Sequence, residues 1–471
     1  MVIGLLSRID GVFDTLPVSI HVTLKVYLAI GRMKYTTIRS WICKNSVSSE
    51  FLRIQLRSFH SAARLIAFSF QNNYRNSLMF HRRQFLFSTS VLSAAVASCT
   101  CNWLAMARDG AHRSIEISDL KVISWKPPLY HGWPTLAQRK NGELILAFSG
   151  GRESHVCPFG RLEWMRSKDN GVHWSWPQVL YDGPIDDRDA GIVETAKGSI
   201  LVTTFTSLAY EPRLARAEKA QPGEPGAFSD PKLLLEWQAV HHRLTAEQRK
   251  AELGNYMLRS TDGGITWSHR YRVPLNSPHG PVVTSNGRLL YAGKAIYGDE
   301  RIGVCESHDD GLTWNWIATI STRSGDDPTK YHELHMVDVA DGSLVCHIRN
   351  ENKQDAGHTL QCESKDGGHT WTAPHTIGVW GLPSHLMRMR NGSILMSYGH
   401  RRSPLGIQAR VSQDSGKSWS DANSITADAK SGDLGYPSTV ECSNGSMVTV
   451  WYEVMNGSPL AQLRQARWKW L

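Results

Sequence analysis

The sequence predicts an all-β fold, a six-bladed β-propeller, and two interleaved repeats carry this prediction. The first repeat is a Ser-x-Asp-x-Gly-x-x-Trp motif that occurs five times between residues 167 and 419. The second is a Gly followed by a short apolar run, which occurs six times. Repeats of this kind indicate that one supersecondary unit has been copied along the chain.

Each Ser-x-Asp motif has the chemistry of a tight hairpin turn. The Asp and Ser side chains can bond backbone amides, Gly supplies a positive φ, and Trp can anchor the turn on a sheet. The five copies occupy residues 167–174, 260–267, 307–314, 364–371 and 412–419. We therefore expect five similar turns on the outside of the fold.

The Gly-led runs predict strands and give the blade count. Short apolar runs bounded by Asn-Gly or Asp-Gly turns are typical of strands, and six such units predict six blades over residues 115–471. A strand near residues 120–125 and the run 463–470 could close the ring by sharing one blade. The six runs begin at Gly142, Gly198, Gly287, Gly342, Gly392 and Gly445.

The second unit contains an insertion. From the Gly of a run to the Ser of the next motif there are 62 residues in this unit, against 20 to 25 in the other four. We place the insertion at residues 208–253. Its second half carries Thr245 and Gln248 in a capping-box pattern, which predicts a short helix. The insertion is either a surface excursion or a rim on one face of the propeller, since long loops on rigid scaffolds often carry function.

The first part of the chain differs from the rest in charge. Residues 1–78 hold ten Lys or Arg against three acidic residues, which is most of the net charge of +9. With Arg82 and Arg83 also set aside, the remaining domain is close to neutral. The basic composition therefore gives no indication of nucleic-acid binding, and we expect no nucleic-acid partner.

Residues 79–102 have the layout of a twin-arginine export signal, with Arg82-Arg83 ahead of an uncharged run. Ala95-Val-Ala97 suits an ordinary signal peptidase, whereas the segment ending in Cys99 is similar to a lipobox, which we favour. We expect translation to start at Met79, so that residues 1–78 are not part of the natural product. The alternative is that these residues form an unusually long leader. The protein is then periplasmic or anchored to the membrane by a lipid on Cys99.

The cysteines do not form a metal-binding pattern. Five of the eight lie beyond the signal, are scattered, and show neither a Cys-x-x-Cys pair nor zinc spacing. We expect free buried thiols, with a Cys346–Cys362 disulfide as the alternative because the two fall on neighbouring predicted strands. The sequence predicts no metal site and no cofactor.

With its five Asp motifs and six β units, the chain resembles the sialidase (neuraminidase) superfamily of Asp-box propellers over roughly residues 120–470. The resemblance implies a glycosidase that uses a Tyr nucleophile activated by a Glu, with three arginines on the substrate carboxylate and an Asp as acid/base. A carboxylate nucleophile would be repelled by such a substrate, and sialidases are an exception to the two-carboxylate mechanism. Arginine suits the gripping role because its planar fork pairs with a carboxylate through two hydrogen bonds.

The C-terminal half follows the family pattern. The resemblance assigns Glu333 as the base that activates the tyrosine and Arg349 as one of the carboxylate-binding arginines. It assigns Arg401, rather than its neighbour Arg402, as the third arginine, and Tyr436 as the nucleophile. The order of these residues and their spacing to the Asp boxes agree with the family.

The N-terminal half departs from the family. Where the first arginine is expected the chain has Gly132, next to Trp133, which we consider a candidate for stacking on a sugar ring. The acid/base Asp should follow shortly after Arg152, but the nearest titratable groups are Glu153 and His155. Either group could transfer protons if its pKa suits the reaction.

An acidic cluster in the second unit, residues 186–189, could compensate for these losses. Closely spaced carboxylates raise at least one carboxyl pKa, as an acid catalyst requires. We expect Arg188 to replace the missing arginine and Asp187 to act as the acid, although a self-paired surface turn would have the same composition. His155 and Trp133 complete the expected substrate contacts.

The expected function is an exported, monomeric exo-glycosidase that acts on sialic acid or another acidic glycan. Two other readings fit the same sequence, because the first arginine and the acid/base Asp are missing. One is a propeller that binds a glycan without cleaving it, and the other is a structural propeller with a protein partner. A fold alone does not decide between them.

Overall fold

The structure, a computed structural model, describes residues 114–125, 128–455 and 457–471. Within these residues the chain forms six four-stranded antiparallel sheets, so the predicted six-bladed propeller is confirmed. The proposed leader at 1–78, the signal at 79–102 and Cys99 lie outside the described residues.

Each blade is a meander of four strands in which neighbours along the chain pair with one another. Blade 1 comprises β2 (Tyr130–Gln138), β3 (Leu144–Arg152), β4 (Arg161–Ser167) and β5 (Gln178–Tyr181). Blade 2 comprises β6 (Asp186–Glu194), β7 (Ile200–Ser207), β8 (Asn255–Ser260) and β9 (Tyr271–Arg272). Blade 3 comprises β10 (Val282–Val283), β11 (Leu289–Lys294), β12 (Ile302–Ser307) and β13 (Asn315–Thr319).

The second half of the ring repeats this arrangement. Blade 4, preceded by the 3₁₀ turn Pro328–Lys330, comprises β14 (Tyr331–Asp338), β15 (Leu344–Asn350), β16 (His358–Ser364) and β17 (His375–Trp380). Blade 5 comprises β18 (Ser384–Arg388), β19 (Ile394–His400), β20 (Gly406–Ser412) and β21 (Asn423–Thr426). Blade 6 comprises β22 (Leu434–Glu441), β23 (Met447–Glu453), β24 (Gln462–Trp470) and, as its outer strand, β1 (Ile115–Val122).

The pairing of β1 with β24 closes the ring. The two strands run antiparallel from Ile115 opposite Trp470 to Val122 opposite Arg464. This pairing also explains why the sixth unit has no Asp motif. The outer strand of blade 6 comes from the beginning of the domain, so the chain makes no turn from a third to a fourth strand there.

The Asp motifs form the turns between the third and fourth strands of blades 1 to 5. In each, the Ser hydroxyl donates to the Asp carboxylate at 2.8–2.9 Å and accepts the Gly N–H at 2.8–2.9 Å. The motif Trp also links neighbouring blades. Trp174 of blade 1 donates to Gln465 of blade 6 at 2.6 Å, and Trp419 of blade 5 donates to Gln361 of blade 4 at 3.1 Å. These turns therefore stabilise the ring far from its axis.

The first strand of every blade lies around the axis. These strands contact their neighbours directly: the Thr135 hydroxyl on β2 donates to the Pro278 carbonyl before β10 at 2.8 Å, and the Leu136 N–H donates to Ser438 on β22 at 3.0 Å. Apolar side chains fill the spaces between adjacent blades. One such cluster joins Phe148 of blade 1 to Val450 of blade 6, both fully buried. Because close packing transmits small displacements, the loops at the ends of these strands are held on a rigid frame.

The residues of the predicted insertion contain three helices between β7 and β8. They are α1 (Glu211–Ala217), α2 (Pro231–His241) and α3 (Ala246–Ala251). The predicted capping box at the start of α3 is confirmed, since Thr245 and Gln248 cap each other's backbone. Trp237 of α2 packs with Cys157, which lies in the loop after β3. The described part of the chain contains no helix of sufficient length and apolarity to cross a membrane.

Candidate active site

Four blades carry an irregular residue at the same position of their inner strand. Trp133, Asp189, Glu333 and Tyr436 have φ angles of 53°, 46°, 44° and 52°, and the strand register shifts at each of them. Left-handed backbone at a non-glycine residue is strained, and β-bulges commonly redirect a side chain. We call these four side chains the floor of the site.

Tyr436, Glu333 and Arg349 form a hydrogen-bonded group on this floor. The Tyr436 hydroxyl donates to a Glu333 carboxylate oxygen. Arg349 Nη1 lies 2.7 Å from the other Glu333 oxygen and 3.1 Å from the Tyr436 hydroxyl. The tyrosine is only 4% exposed. The structure thus brings together the residues to which the sequence assigned the nucleophile, its base and one arginine.

The electrostatics of this group favour a charged glutamate and a neutral tyrosine. Burial alone would raise the pKa of Glu333, but Arg349, the bond from Tyr436 and the charge of Arg401 together lower it. Burial and the adjacent Glu333 carboxylate raise the pKa of Tyr436 well above its usual range. The phenolate is therefore not formed in advance. The Glu333 carboxylate is the acceptor bonded to this hydroxyl, in position to take its proton.

The other two predicted arginines each act on one carboxyl group of the floor. Arg401 donates from Nε to the Leu434 carbonyl at 2.9 Å, and its charge contributes to lowering the pKa of Glu333. Arg188 lies 4.7 Å above the ring of Trp133, and its charge acts on Asp189. The charges of Arg349 and Arg401 therefore act on Glu333, and those of Arg188 and Arg349 act on Asp189. Both terminal nitrogens of Arg349 are bonded to protein carboxylates, since Nη1 binds Glu333 and Nη2 pairs with Glu351 at 2.6 Å.

Asp187 requires a correction. Its Oδ2 accepts the Gly183 N–H at 2.6 Å, and its Oδ1 lies 3.9 Å from Arg270, so the structure does not bring it to Tyr436. The bulge after Arg188 instead turns Asp189 into the site. Burial, together with the nearby Glu333, raises the pKa of Asp189 to about 7 in spite of the surrounding arginines.

Trp133 also has a different place from the one expected. It is 2% exposed, and the guanidinium groups of Arg188 and Arg152 lie over its ring at 4.7 and 5.1 Å. A ring covered in this way has no free face for a sugar. Its geometry instead supports two cation–π contacts that orient arginines.

The absence of the first arginine has a steric reason. A side chain at Gly132 would begin 2.8 Å from the ring of Tyr130, which is itself buried. The nearby Arg152 does not substitute for the missing group, because it is fully buried and bound to Asp186 through both terminal nitrogens, at 2.6 and 3.1 Å. The N-terminal part of the site is therefore rebuilt, with Arg188 as its less buried cation: its side chain is 11% exposed, against 0% for Arg152, and lies 3.9 Å from Asp186.

His155 lies at the edge of the site, in a network that joins blades 1 and 6. Its Nδ1 is 3.0 Å from Asp433 and 3.0 Å from the Tyr130 hydroxyl, which in turn donates to Asp433. The ring lies edge-on to Trp133 at 4.9 Å, and the side chain is 47% exposed. Glu153 faces elsewhere, accepting a bond from Trp237 of the insertion at 3.1 Å. Nothing in the sequence indicated Asp433 or Tyr130, apart from their positions close to Tyr436 and Gly132.

A second feature lies along the axis below the floor. A cavity of about 420 Å³ is lined by the inner strands of all six blades, and His279, His335 and His385 line it too. The three rings lie 4.5–5.2 Å apart, and burial lowers the pKa of all three. Among the described residues, no group of His, Cys, Asp or Glu has an arrangement that would hold a metal ion. The five cysteines there are free and buried, Cys346 and Cys362 included.

Comparison with known proteins supports the fold assignment. The BNR repeat-like domain family matches residues 232–450, and no curated protein sequence matches the chain. A protein of unknown function from Dyadobacter fermentans has a similar structure, with a TM-score of 0.60, 23% identity, and coverage of 76% of this chain and all of the other.

Two sialidase structures are also similar. The Hadza microbial sialidase Hz136 has a TM-score of 0.51 and 16% identity over 72% of this chain, and the NanB sialidase from Streptococcus pneumoniae has 0.51 and 14% over 76%. This chain spans about two thirds of their length, 65% and 70% respectively. At such identities the likeness concerns the fold. The described part of the chain is thus a six-bladed β-propeller whose fold is similar to that of these sialidases, and the BNR repeat-like model matches part of it.

Proposed function

We propose that this protein is an exported exo-glycosidase of sialidase type, which cleaves sialic acid or a related acidic sugar with retention of configuration. The observation that carries the proposal is the contact of Tyr436 with Glu333 and Arg349. A phenol whose hydroxyl is bonded to a charged carboxylate is activated by an adjacent base, as the serine of a Ser–His pair is activated by its histidine.

The reaction proceeds in two displacements. The Tyr436 oxygen attacks the anomeric carbon while Glu333 takes its proton, the bond to the leaving oxygen breaks, and that oxygen is protonated. Water then attacks the same carbon of the glycosyl-tyrosine and gives up a proton to the group that protonated the leaving oxygen. The bond to the tyrosine oxygen breaks, and the tyrosine recovers its proton from Glu333. Two inversions give net retention. Arg349 holds both partners in position throughout.

The substrate carboxylate is recognised by a smaller set of cations than the resemblance implies. Arg349 is held by two protein carboxylates, and position 132 has no room for a side chain, so Arg401 and Arg188 remain for this role. Asp189 assists when it is protonated, since a neutral carboxyl group can donate a hydrogen bond and does not repel an anion. The site thus suits one carboxylate on a small sugar.

Export and anchoring form part of the proposal. We infer that the twin-arginine segment directs the protein out of the cytoplasm and that Cys99 carries a lipid. N-terminal sequencing and mass spectrometry of the protein from its native membrane fraction test this: a chain that begins with an acylated Cys99 supports it, and an unprocessed start at Met1 contradicts it.

The activity is tested with a panel of fluorogenic glycosides, sialosides first. Proton NMR of the reaction should show the retained anomer as the first product, because two displacements occur. A fluorinated sialosyl fluoride should leave a sugar on Tyr436 that peptide mass spectrometry locates. An inverted first product would contradict the tyrosine mechanism.

A second candidate is a propeller that binds an acidic glycan without cleaving it. Two observations favour it. The terminal nitrogens of Arg349 are already bonded to protein carboxylates, and position 132 has no room for the first arginine of the family. Titration calorimetry with sialic acid, combined with the glycoside panel, separates the two candidates, because a binding protein gives saturable heat with sialic acid but releases no product from any glycoside. Complete inactivity on the panel together with binding would support this second candidate.

A further inference from the structure

The chain has no aspartate where the resemblance implies the acid/base group, yet glycoside cleavage needs a proton for the leaving oxygen. An alkoxide is a poor leaving group, and a positioned acid contributes about 10²- to 10⁴-fold to such reactions. Four titratable side chains come into question from their sequence positions or surroundings: Glu153, His155, Asp187 and Asp189. Their positions in the structure differ enough to select one of them.

The direction of attack restricts where this acid can lie. Tyr436 is on the floor, 4% exposed, so it approaches the sugar from below. In a displacement at the anomeric carbon, the leaving oxygen departs on the side opposite to the nucleophile. The proton donor must therefore lie above the floor, at the open edge of the site.

Three of the four groups fail this condition. Asp189 belongs to the floor, at the position in its strand that Tyr436 occupies in blade 6, and is 7% exposed. Asp187 is fully buried and bound to the Gly183 N–H. Glu153 faces the insertion, where it accepts the bond of Trp237.

We propose that His155 protonates the leaving oxygen and then takes the proton of the attacking water, with Asp433 and Tyr130 as its positioning residues. This inference rests on the proposed glycosidase function. His155 also fits the sequence position, since it comes three residues after Arg152, where the resemblance places the acid/base group.

The contacts of His155 suit this role. Asp433 accepts from the Tyr130 hydroxyl at 3.0 Å and lies 3.0 Å from His155 Nδ1, so a charged Asp433 holds the proton on that nitrogen and leaves Nε2 as the reactive one. Burial opposes ionisation of Asp433, but the bonds from His155 and Tyr130 lower its pKa. The same logic orients the histidine of a Ser-His-Asp triad.

Protein groups hold the inner side of His155, while 47% of its side chain is exposed. Tyr130 and Trp133 pack against its ring at 5.7 and 4.9 Å between centroids. Arg152 donates to its backbone carbonyl at 3.1 Å, and Asp433 is the charged side chain bonded to its imidazole. Trp133 also contacts Tyr436 at 6.5 Å, which joins the imidazole to the floor.

In the first step the imidazolium Nε2–H passes its proton to the glycosidic oxygen as that bond breaks, and the aglycone leaves as an alcohol. In the second step the neutral Nε2 takes a proton from water while the water oxygen bonds to the anomeric carbon. The bond from that carbon to the Tyr436 oxygen breaks at the same time, and Glu333 returns its proton to the tyrosine. The imidazolium is regenerated. No oxidant, metal or further reactant enters the balance.

The test compares the full-length parent with His155→Asn on aryl glycosides of one acidic sugar whose phenols differ in acidity. Asparagine retains a donor for Asp433 but cannot transfer a proton. We expect kcat/KM for the least acidic phenol to fall about 100- to 10,000-fold and that for the most acidic phenol by less than about 10-fold. Asp433→Asn should have an intermediate effect, because it only disturbs the orientation.

His173→Asn is the matched control. His173 makes a similar pair, with its Nδ1 2.7 Å from Asp169, but in the outer turn of blade 1 with 85% of the side chain exposed. This variant should retain the parent rates for every phenol. Azide should accelerate turnover by His155→Asn and give a glycosyl azide, since an anion needs no base to attack the intermediate.

The outcomes separate this inference from the function on which it rests. If His155→Asn loses the same factor for all phenols, or loses nothing, His155 is not the proton donor although the glycosidase remains. If the parent cleaves none of the glycosides, the proposed function and this inference fail together. If the parent is active and Tyr436→Phe is too, the nucleophile is wrong.

Discussion

The two halves of the candidate site differ in how closely they follow the sialidase pattern. In blades 4 to 6, Glu333, Arg349 and Tyr436 form one hydrogen-bonded group. In blades 1 and 2, a buried Trp133 and a partly ionised Asp189 stand at the matching bulges. The half that would perform the attack is retained, while the half that would recognise the sugar and protonate its aglycone has been rebuilt.

This difference indicates that the constraint on the two halves is not the same. A nucleophile and its base must meet at hydrogen-bond distance, and a displacement of about 1 Å can cost two orders of magnitude in rate. A carboxylate can be bound by several arrangements of cations, because charge-assisted bonds tolerate different approach directions. The strained backbone at all four floor positions persists in both halves, so the frame is shared even where the chemistry differs.

The largest expected effect tests the retained half. Tyr436→Phe keeps the ring and its packing but removes the attacking oxygen, so kcat on the best glycoside should fall by about three orders of magnitude or more. The melting temperature should change little. The control is Tyr271→Phe. Tyr271 lies in β9, the outer strand of blade 2, and the variant loses only the hydrogen bond to the Gly311 carbonyl, so it should keep its activity. A Tyr436→Phe variant as fast as the parent would remove the reason for calling this half catalytic.

The next effect tests whether the rebuilt half could return to the family pattern. Gly132→Arg places a Cβ 2.8 Å from the ring of Tyr130, which is held by Asp433 and His155 and cannot easily move. We expect a loss of about 1–3 kcal/mol in the free energy of unfolding, as for other overpacked sites, and no gain in sialoside affinity. Gly142→Ala is not a suitable control because its φ is 87°.

Gly298→Arg provides the comparison for this variant, since Gly298 is exposed, its φ is not left-handed, and its Cβ would meet Ala295 only at 3.6 Å. Chemical denaturation of both variants gives the two free energies of unfolding. If Gly132→Arg is as stable as the parent and binds sialic acid more tightly, the departure from the family does not have a steric cause.

The sequence predicted the fold better than the site because turn chemistry is local. Each Asp motif contains all the groups that bond to one another, as Ser167, Asp169 and Gly171 do. The resemblance to the sialidases, with which the spacing from these motifs agrees, also singled out Glu333 and Tyr436. In contrast, the contacts of Asp433 with His155 and Tyr130 join residues 278 and 303 positions apart, and they depend on closure of the ring.

Asp189 was missed for another reason. In a regular strand, side chains two residues apart share a face, so Asp187 and Asp189 would be equivalent choices. The bulge between Arg188 and Gly191 removes that equivalence. Nothing in the local run Asp-Arg-Asp-Ala-Gly indicates where a bulge falls, because its backbone is selected by packing against the neighbouring blades.

The inner strands of both halves line the axial cavity that contains His279, His335 and His385. A third prediction concerns the ionisation of these histidines. Burial lowers the pKa of His385 to about 3, whereas in the unfolded chain a histidine has a pKa of about 6.5. The unfolded state therefore binds a proton that the folded state does not between these values. Stability should fall as the pH drops below about 6.5, by about 1.4 kcal/mol per pH unit for each such histidine.

Denaturation of the parent and His385→Phe at pH 7.5, 6, 5 and 4 measures this effect. Phenylalanine preserves the stacked ring next to His335 but does not titrate. Its stability should depend on pH less steeply, by about 1.4 kcal/mol per unit below pH 6. Asp189 acts in the opposite sense, because its raised pKa favours the folded state as the pH falls from 7 towards 4. Identical slopes for parent and variant would show that His385 is protonated in the fold.

The smallest expected effect concerns recognition in the rebuilt half. With a pKa of about 7, Asp189 gains a negative charge as the pH rises from 6 to 8, and that charge weakens binding of an acidic sugar. The parent should therefore lose affinity for sialic acid over this range, by up to about 10-fold, which corresponds to about 1.4 kcal/mol. Asp189→Asn resembles the neutral form, so its affinity should stay close to the parent's value at pH 6 throughout. Asp187→Asn is the matched control. The Asp187 carboxyl is bound to the Gly183 N–H, so this variant should keep the pH dependence of the parent.

Calorimetric titrations at pH 6, 7 and 8 decide the question. If Asp189→Asn retains the full pH dependence of affinity, the titrating group lies elsewhere, and Arg188 and Arg401 recognise the sugar without help from Asp189.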